Sequence, residues 1–138
     1  MKHAKILDCT LRDGAYLVDK TFGDNAIHGI IAGLMKAKVD CIEIGFFQDE
    51  GFGEGKTVYK NSNDAKKYVP KDKTGCMFTV LADCSRYTIT NLDMCSGDSV
   101  DAIRECFFKE ERFEAIENCK EIKKDLIEET YFNIKLLA

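Results

Sequence analysis

The chain has 138 residues, the usual size of a single domain, and its hydrophobic content of 45% and charged content of 32% are ordinary for a globular protein. A net charge of -4 gives no reason to expect nucleic acid or an anionic membrane as a partner, and every apolar run is far shorter than the ~20 residues that cross a bilayer. The seven cysteines are odd in number, follow no signal peptide and form no CxxC pair, which predicts buried, reduced thiols in a cytoplasmic protein.

The first half of the chain predicts two strands with a helix between them. Residues 4–9 predict a buried first strand, and residues 39–47, rich in β-branched and aromatic side chains, predict the second. Asp24 is suited to N-cap the intervening helix. The apolar stripe of that helix lies on one face: Ile27, Ile30, Ile31, Leu34 and Met35. Residues 48–56 predict a mobile loop whose acids would repel a phosphate group.

The second half continues the alternation of strands and helices. A short helix is predicted at residues 63–68, and further strands at residues 75–81, 100–107 and 130–137, whereas residues 83–97 are ambiguous. Residues 112–126 predict a second long helix with this inner face: Phe113, Ile116, Cys119, Ile122 and Leu126. The repeated βα pattern predicts a parallel sheet with right-handed crossovers, either doubly wound or part of a (β/α)8 barrel, which needs ~250 residues when complete.

The string DCTLRDG at residues 8–14 directly follows the first predicted strand. It places the cation of Arg12 beside the carboxylate of Asp13 at the strand end where parallel α/β proteins carry their chemistry. A turn at Gly14 can aim both side chains in one direction. From the dipeptide alone, a structural ion pair is the simpler interpretation, but the surrounding string and its position favour a functional one.

Three further segments join this string: CIEIGFF at 41–47, AIR at 102–104 with FFKE at 107–110, and FNI at 132–134. Together, and in this order, they resemble the first half of the HMG-CoA-lyase-like metal-dependent aldolases. That superfamily includes 4-hydroxy-2-oxovalerate aldolase, isopropylmalate synthase and homocitrate synthase. The resemblance implies one α/β domain over residues 1–138, with a parallel sheet and helical crossovers that correspond to about the first five strands of a TIM barrel.

The resemblance also implies roles for single residues. Asp13 becomes a ligand of a divalent cation, Mg²⁺ or Mn²⁺, and Arg12 holds the enolate or keto oxygen of a small 2-oxo acid. Glu43 matches a catalytic carboxylate beside the site, and Arg104 and Asn133 match substrate-binding positions. The family's His-x-His metal motif has no counterpart, because the chain has only His3 and His28. We therefore expect the chain to be related to metal-dependent aldolases or lyases, and we expect its own catalytic activity to be weak or absent.

Each of these residues also has a structural interpretation. Glu43 could be a satisfied carboxylate between sheet and helix, and Arg104 could pair with Glu43 or Asp13. Asn133 could line a barrel interior, and His28 could be a helix-surface or packing residue.

The alternative function for the whole chain is a non-catalytic assembly or partner-completed module. A flavodoxin-like binding domain is disfavoured, because no phosphate-binding loop follows the first strand. Unpaired edge strands of a half barrel predict a homo-oligomer, which a monomer in light scattering at high concentration would contradict.

Overall fold

The computed structural model describes residues 4–94, 96–125 and 135–136. Its centre is a sheet in which every described strand pairing is parallel. The strands are β1 (Leu7–Asp8), β2 (Cys41–Phe47), β3 (Val58–Tyr59), β4 (Met77–Asp83), β5 (Ala102–Phe107) and β6 (Lys135–Leu136). They lie in the order β1-β2-β4-β5-β6, and β3 pairs beside the end of β2. The predicted α/β class and parallel sheet are confirmed.

The helices connect these strands. They are α1 (Thr10–Asp13), α2 (Asp24–Lys36), α3 (Ser62–Ala65) and α4 (Arg112–Asp125), with short 3-10 turns at Gly14–Leu17, Lys66–Tyr68, Ile89–Asn91 and Lys109–Glu111. Within the part of the chain that the structure describes, no helix combines the length and the apolar character needed to traverse a lipid bilayer.

One face of the sheet packs against the helices. Alternate side chains of the central strands meet helix side chains in a single apolar cluster, which includes Ile42, Ile44, Phe78, Val80 and Ile103 from the sheet and Ile27, Ile31, Ala65 and Ile122 from the helices. Because right-handed crossovers between strands in chain order all fall on one side, the helices share this face. The other face, called here the second face, carries Glu43, Thr79 and Arg104.

A bulge in β2 allows both Glu43 and Phe46 to lie on the second face of the sheet. Glu43 pairs with Thr79 of β4, but Phe46 pairs with Leu81, so β2 holds one extra residue in this interval. Gly45 within the bulge has φ 149°, and a Cβ there would lie 2.1 Å from the carbonyl oxygen of Thr57. The Phe46 N–H donates to the same oxygen at 2.9 Å. Only glycine permits this close approach of two backbones.

The first strand differs from its prediction. It covers only Leu7–Asp8 and is not buried, since Ile6 is 61% and Leu7 43% exposed. The reason is its edge position: within the described residues it pairs only with the start of β2.

The start of α2 also differs, although its apolar stripe is confirmed. Ile27 and Ile31 are buried, and Ile30, Leu34 and Met35 pack against the core. Asp24 was predicted as the N-cap, but Gly23 occupies that position and Asp24 is the first helical residue. The Asp24 carboxylate instead accepts hydrogen bonds from the Gly55 N–H at 2.9 Å and from the Tyr68 hydroxyl.

The inner face of α4 is rotated from its prediction. Ile122 is buried as predicted, but Phe113 and Ile116 are 68% and 45% exposed, and Ala115 is buried instead. A polar contact explains the rotation, because the Asn118 amide donates to the Glu105 carboxylate of β5 at 2.9 Å and turns that side of the helix toward the sheet. Leu126 lies outside the described residues, as does most of the strand predicted at 130–137.

The six described cysteines are free, but the prediction that they are buried is wrong for most of them. Cys84 is buried, whereas five others are partly exposed: Cys9, Cys41, Cys76, Cys106 and Cys119. Cys9, Cys41 and Cys76 lie at or beside strand ends, and Cys106 lies on the second face, away from the covering helices.

Candidate functional site

Local hydrogen bonds turn the chain into α1 immediately after β1. The Asp8 carboxylate accepts the Thr10 N–H at 2.9 Å, and the Cys9 carbonyl accepts the N–H groups of Arg12 at 3.0 Å and Asp13 at 2.7 Å. Gly14 has an ordinary helical φ of -63°. The prediction that a glycine turn aims Arg12 and Asp13 is therefore wrong; a helical turn does so.

The centre of the site is a buried carboxylate between two arginines. Glu43 is 0% exposed, and its Oε1 accepts Arg104 Nε at 2.7 Å. Its Oε2 accepts Arg104 Nη2 at 2.6 Å and Arg12 Nε at 2.7 Å. The two arginine side chains are 13% and 16% exposed. We call these three residues the Arg–Glu–Arg cluster, and it joins α1, β2 and β5 across the second face.

Asp13 extends the cluster toward solvent. Its carboxylate is 62% exposed and pairs with Nη1 and Nη2 of Arg12, the latter at 3.0 Å. The Arg12 guanidinium thus lies between a buried carboxylate and an exposed one. Because both carboxylates fix its planar fork, the cation is held in one orientation without help from a ligand.

The electrostatics of the cluster keep Glu43 ionised. Burial by itself would raise the pKa of this carboxyl group, but the hydrogen bonds and positive charges of Arg104 and Arg12 outweigh burial and lower it. Burial likewise opposes the charge of Arg12, yet Glu43 raises the pKa of that guanidinium above its ordinary value. With a lowered pKa and three accepted hydrogen bonds, Glu43 is suited to position the arginines rather than to remove a proton.

The structure therefore brings together Arg12, Asp13, Glu43 and Arg104. The structural interpretation of Arg104 as a partner of Glu43 is confirmed, and Glu43 is a satisfied carboxylate, although it faces the arginines on the second face. Asn133 lies outside the described residues. His28 packs against Tyr68 with ring centroids 5.2 Å apart, in agreement with a packing role.

Whether this site can hold a divalent cation depends on the metal-ligating side chains around Asp13. Among residues 4–94, 96–125 and 135–136, no three histidine, cysteine, aspartate or glutamate side chains are grouped so that they could hold a metal ion. Both oxygens of Asp13 also face Arg12. The described residues therefore do not form a resident divalent-cation site by themselves.

A second buried carboxylate, which the sequence analysis does not predict, lies on the helix-covered face. Glu105 is 3% exposed, and burial raises its pKa to about 7 against the opposing hydrogen bond from Asn118, while Asp83, Glu114 and Glu111 add negative charge. The alternation of β5 could have revealed it, because Glu105 follows Arg104 and must point to the opposite face.

Replacement of Glu105 with Gln tests this burial. The folded wild type keeps a proton that the unfolded chain releases above its ordinary pKa of 4.5, so its free energy of unfolding falls between pH 4.5 and about 7. We expect Glu105→Gln to remove this slope and to be more stable than wild type at pH 8 by roughly 2–3 kcal/mol. Urea unfolding at pH 5 and pH 8 measures this. The exposed Glu114→Gln variant is the control, and parallel profiles for all three proteins would contradict the expectation.

Comparisons with known proteins found no relative of this chain. No family model matches the chain, and neither the curated proteins nor the solved structures yielded a match. The interpretation of the site therefore depends on its geometry and on the motif at residues 8–14.

Proposed function

We propose that this chain supplies the enolate-stabilising part of a metal-dependent aldolase or lyase of the HMG-CoA-lyase-like superfamily. Such an enzyme cleaves or forms a carbon–carbon bond next to a small 2-oxo acid. The observation that carries the proposal is the Arg12 guanidinium, which is directed by buried Glu43 at the end of the first strand. It lies inside the string DCTLRDG, the most specific of the resembling segments.

The proposal includes a TIM-barrel relationship, in which the sheet corresponds to about the first five strands of the barrel. Its support is the strand order, which follows the chain without reversal, whereas a doubly wound sheet reverses its order at a switch point. The shared helix face is the second support, because a barrel also keeps its helices outside and its polar site residues inside.

The chemistry assigned to Arg12 follows from charge. Carbon–carbon cleavage beside a 2-oxo acid passes through an enolate, and its developing negative charge is stabilised by charged N–H donors already aimed at the oxygen. Stabilisers of this kind contribute about 3–4 kcal/mol each in the transition state. Glu43 acts as a positioning residue because it accepts a hydrogen bond from Arg12, and Arg104 holds Glu43 in turn.

Asp13 is proposed to contribute one carboxylate ligand to Mg²⁺ or Mn²⁺, with the remaining ligands from outside the described residues. A bound cation would polarise the keto oxygen as a Lewis acid. Because Arg12 competes for both Asp13 oxygens, this carboxylate alone binds a cation weakly. We accordingly propose that the 138-residue chain by itself is weakly active or inactive.

Oxalate binding tests the role of Arg12, because this dianion has the shape and charge of a 2-oxo acid enolate. Isothermal titration calorimetry without added metal, which avoids the Mn²⁺–oxalate complex that forms in solution, should give saturable oxalate binding that weakens about 100-fold in Arg12→Met. The exposed Arg112→Met variant is the matched control and should bind as wild type does. Asp13→Asn should reduce the affinity for Mn²⁺ measured by electron paramagnetic resonance.

Two outcomes would contradict the proposal. One is a wild type that shows no saturable oxalate binding, and the other is an Arg12→Met protein, folded by circular dichroism, with unchanged affinity. Either result would favour the second candidate function, a non-catalytic assembly module. That alternative is supported by the exposed Ile6 and Leu7 beside an edge strand, and the homo-oligomer stays a prediction.

A further inference from the structure

A polar cavity of about 780 Å³ lies at the carboxyl edge of the sheet, outside the Arg–Glu–Arg cluster. Its lining comes from the segment before α2 and from the loops that follow β2 and β4, and the residues used below are Lys20, Gln48, Asp49, Glu50 and Arg86. The carboxyl edge of a parallel sheet is where ligands of such folds bind.

The backbone of Lys20 is fixed in an unusual conformation. Asp19 and Lys20 have φ of 49° and 58°, in the left-handed region that residues other than glycine seldom adopt. The Lys20 N–H donates to the Ala15 carbonyl at 2.7 Å, and the Lys20 carbonyl accepts the Thr57 N–H at 3.0 Å. Strain of this kind persists only where the surroundings hold it, so the start of the side chain is well defined.

The ammonium group of Lys20 is directed into the cavity without an acidic partner. It lies 5.0 Å from the centroid of the Phe46 ring and donates to the neutral Oε1 of Gln48 at 2.9 Å. Among the described residues it forms no ion pair with a carboxylate. Burial and then the nearby positive charge of Arg86 lower the pKa of Lys20, against the opposing negative charges of Asp19 and Glu50.

The second cation of the cavity is also weakly compensated. Arg86 is 61% exposed, and its Nε lies 3.9 Å from a carboxylate oxygen of Asp83. Asp49 lines the cavity but is committed elsewhere, since it accepts the Thr88 N–H at 2.9 Å, the Thr88 hydroxyl at 2.6 Å and the Asn91 amide at 2.8 Å. These hydrogen bonds lower the pKa of Asp49 against the effect of burial, so it keeps its negative charge. Asp49 and Glu50 belong to the loop whose acids are predicted above to repel phosphate, and both oppose an anion here.

We propose that this cavity is a subsite for an anionic group of the substrate, a carboxylate or a phosphate, held by Lys20 and Arg86. The subsite deepens the proposed function and rests on it for the position of the reacting end. Glu43 and Phe46 pair with Thr79 and Leu81 of β4, which are two residues apart, or about 7 Å along a strand. The substrate class is therefore a 2-oxo acid with a second negative charge several bonds from the keto carbon.

Direct anion titrations without added metal test the subsite. Inorganic phosphate and succinate are titrated into the full chain by isothermal calorimetry, with Lys20→Met and Lys38→Met as matched variants. Lys38 is an exposed lysine with φ 60°, so its variant controls both for the lost charge and for the left-handed backbone. We expect saturable binding of at least one anion, about ten-fold weaker in Lys20→Met and unchanged within two-fold in Lys38→Met.

The outcomes separate this proposal from the enolate proposal. Asp13→Asn should keep its anion affinity, because Asp13 does not line the cavity. If Lys20→Met fails to fold by circular dichroism, Arg86→Gln is measured instead and should bind several-fold more weakly than wild type. Tighter binding of phosphate than of succinate supports a phosphorylated substrate, and the reverse supports a dicarboxylate. Absence of saturable binding in wild type, or equal losses in both lysine variants, would overturn the subsite.

Discussion

Replacing Glu43 with Gln is expected to lower the free energy of unfolding by about 3–5 kcal/mol. The substitution leaves two largely buried guanidiniums without their shared carboxylate, and the new amide N–H₂ points donors toward donors. Since small domains are stable by only about 5–15 kcal/mol, this loss is a large fraction of the total free energy of unfolding. Urea unfolding followed by circular dichroism at neutral pH measures the change.

Two further variants make this result interpretable. Glu54→Gln removes an exposed carboxylate and should change stability by less than about 0.5 kcal/mol. Replacing Glu43 and Arg104 together by Leu and Met should recover part of the loss, because buried ion pairs can be exchanged for apolar groups of similar volume. If the free energy of unfolding of Glu43→Gln were within about 1 kcal/mol of the wild-type value, the cluster would not be buried as described.

The acid limb of the stability profile should change in the same variant. The pKa of Glu43 is lowered in the folded state, so its stabilisation is present above the ordinary value of 4.5 and is lost as the pH falls through the folded pKa. Wild type should therefore lose stability below about pH 4.5, and Glu43→Gln should lose less over the same range.

Replacing Gly45 with Ala is expected to cost at least about 4 kcal/mol or to prevent folding. A Cβ at this position would lie 2.1 Å from the Thr57 carbonyl oxygen and 2.8 Å from its carbonyl carbon, so two backbones would have to separate. The β2 bulge and the β2–β3 pairing would then be lost together. Yield of folded protein and the urea midpoint measure the effect.

The matched control is Gly29→Ala in α2. No atom lies within 4 Å of a Cβ built at Gly29, and alanine in a helix is more stable than glycine by roughly 0.5–1 kcal/mol. The two glycine variants should therefore move in opposite directions. A Gly45→Ala protein as stable as wild type would contradict the close approach of β2 to Thr57.

Much of the fold follows from local patterns in the sequence. The runs that become β2 and β4 are rich in β-branched and aromatic residues, and the stripe of α2 has a clear helical spacing. Part of the site could also be predicted from local sequence patterns. Arg12 and Asp13 lie at a strand end that the βα pattern identifies. Glu43 lies between Ile42 and Ile44, whose side chains pack toward the helices, so its own side chain must point to the other face.

The rest depends on contacts between distant residues. The rotation of α4 follows from the bond between Asn118 and Glu105, and apolar spacing alone places Phe113 on the wrong face. Lys20 reaches its cavity because Asp19 and Lys20 adopt positive φ and because the backbone of Lys20 bonds to Ala15 and Thr57. The short β1 reflects its place at an edge, which composition does not reveal.

The strand order has a consequence for how the chain assembles. Along the main path of the sheet, each strand joins the edge left by an earlier one, and no strand is inserted between two that are already paired. Paired residues along this path are 23 to 36 positions apart, as in Thr79–Ala102 and Cys41–Met77, so no pairing has to close a loop that spans the whole chain. During synthesis, the amino-terminal units can therefore dock as they emerge from the ribosome, without waiting for a carboxyl-terminal strand to complete the space between them.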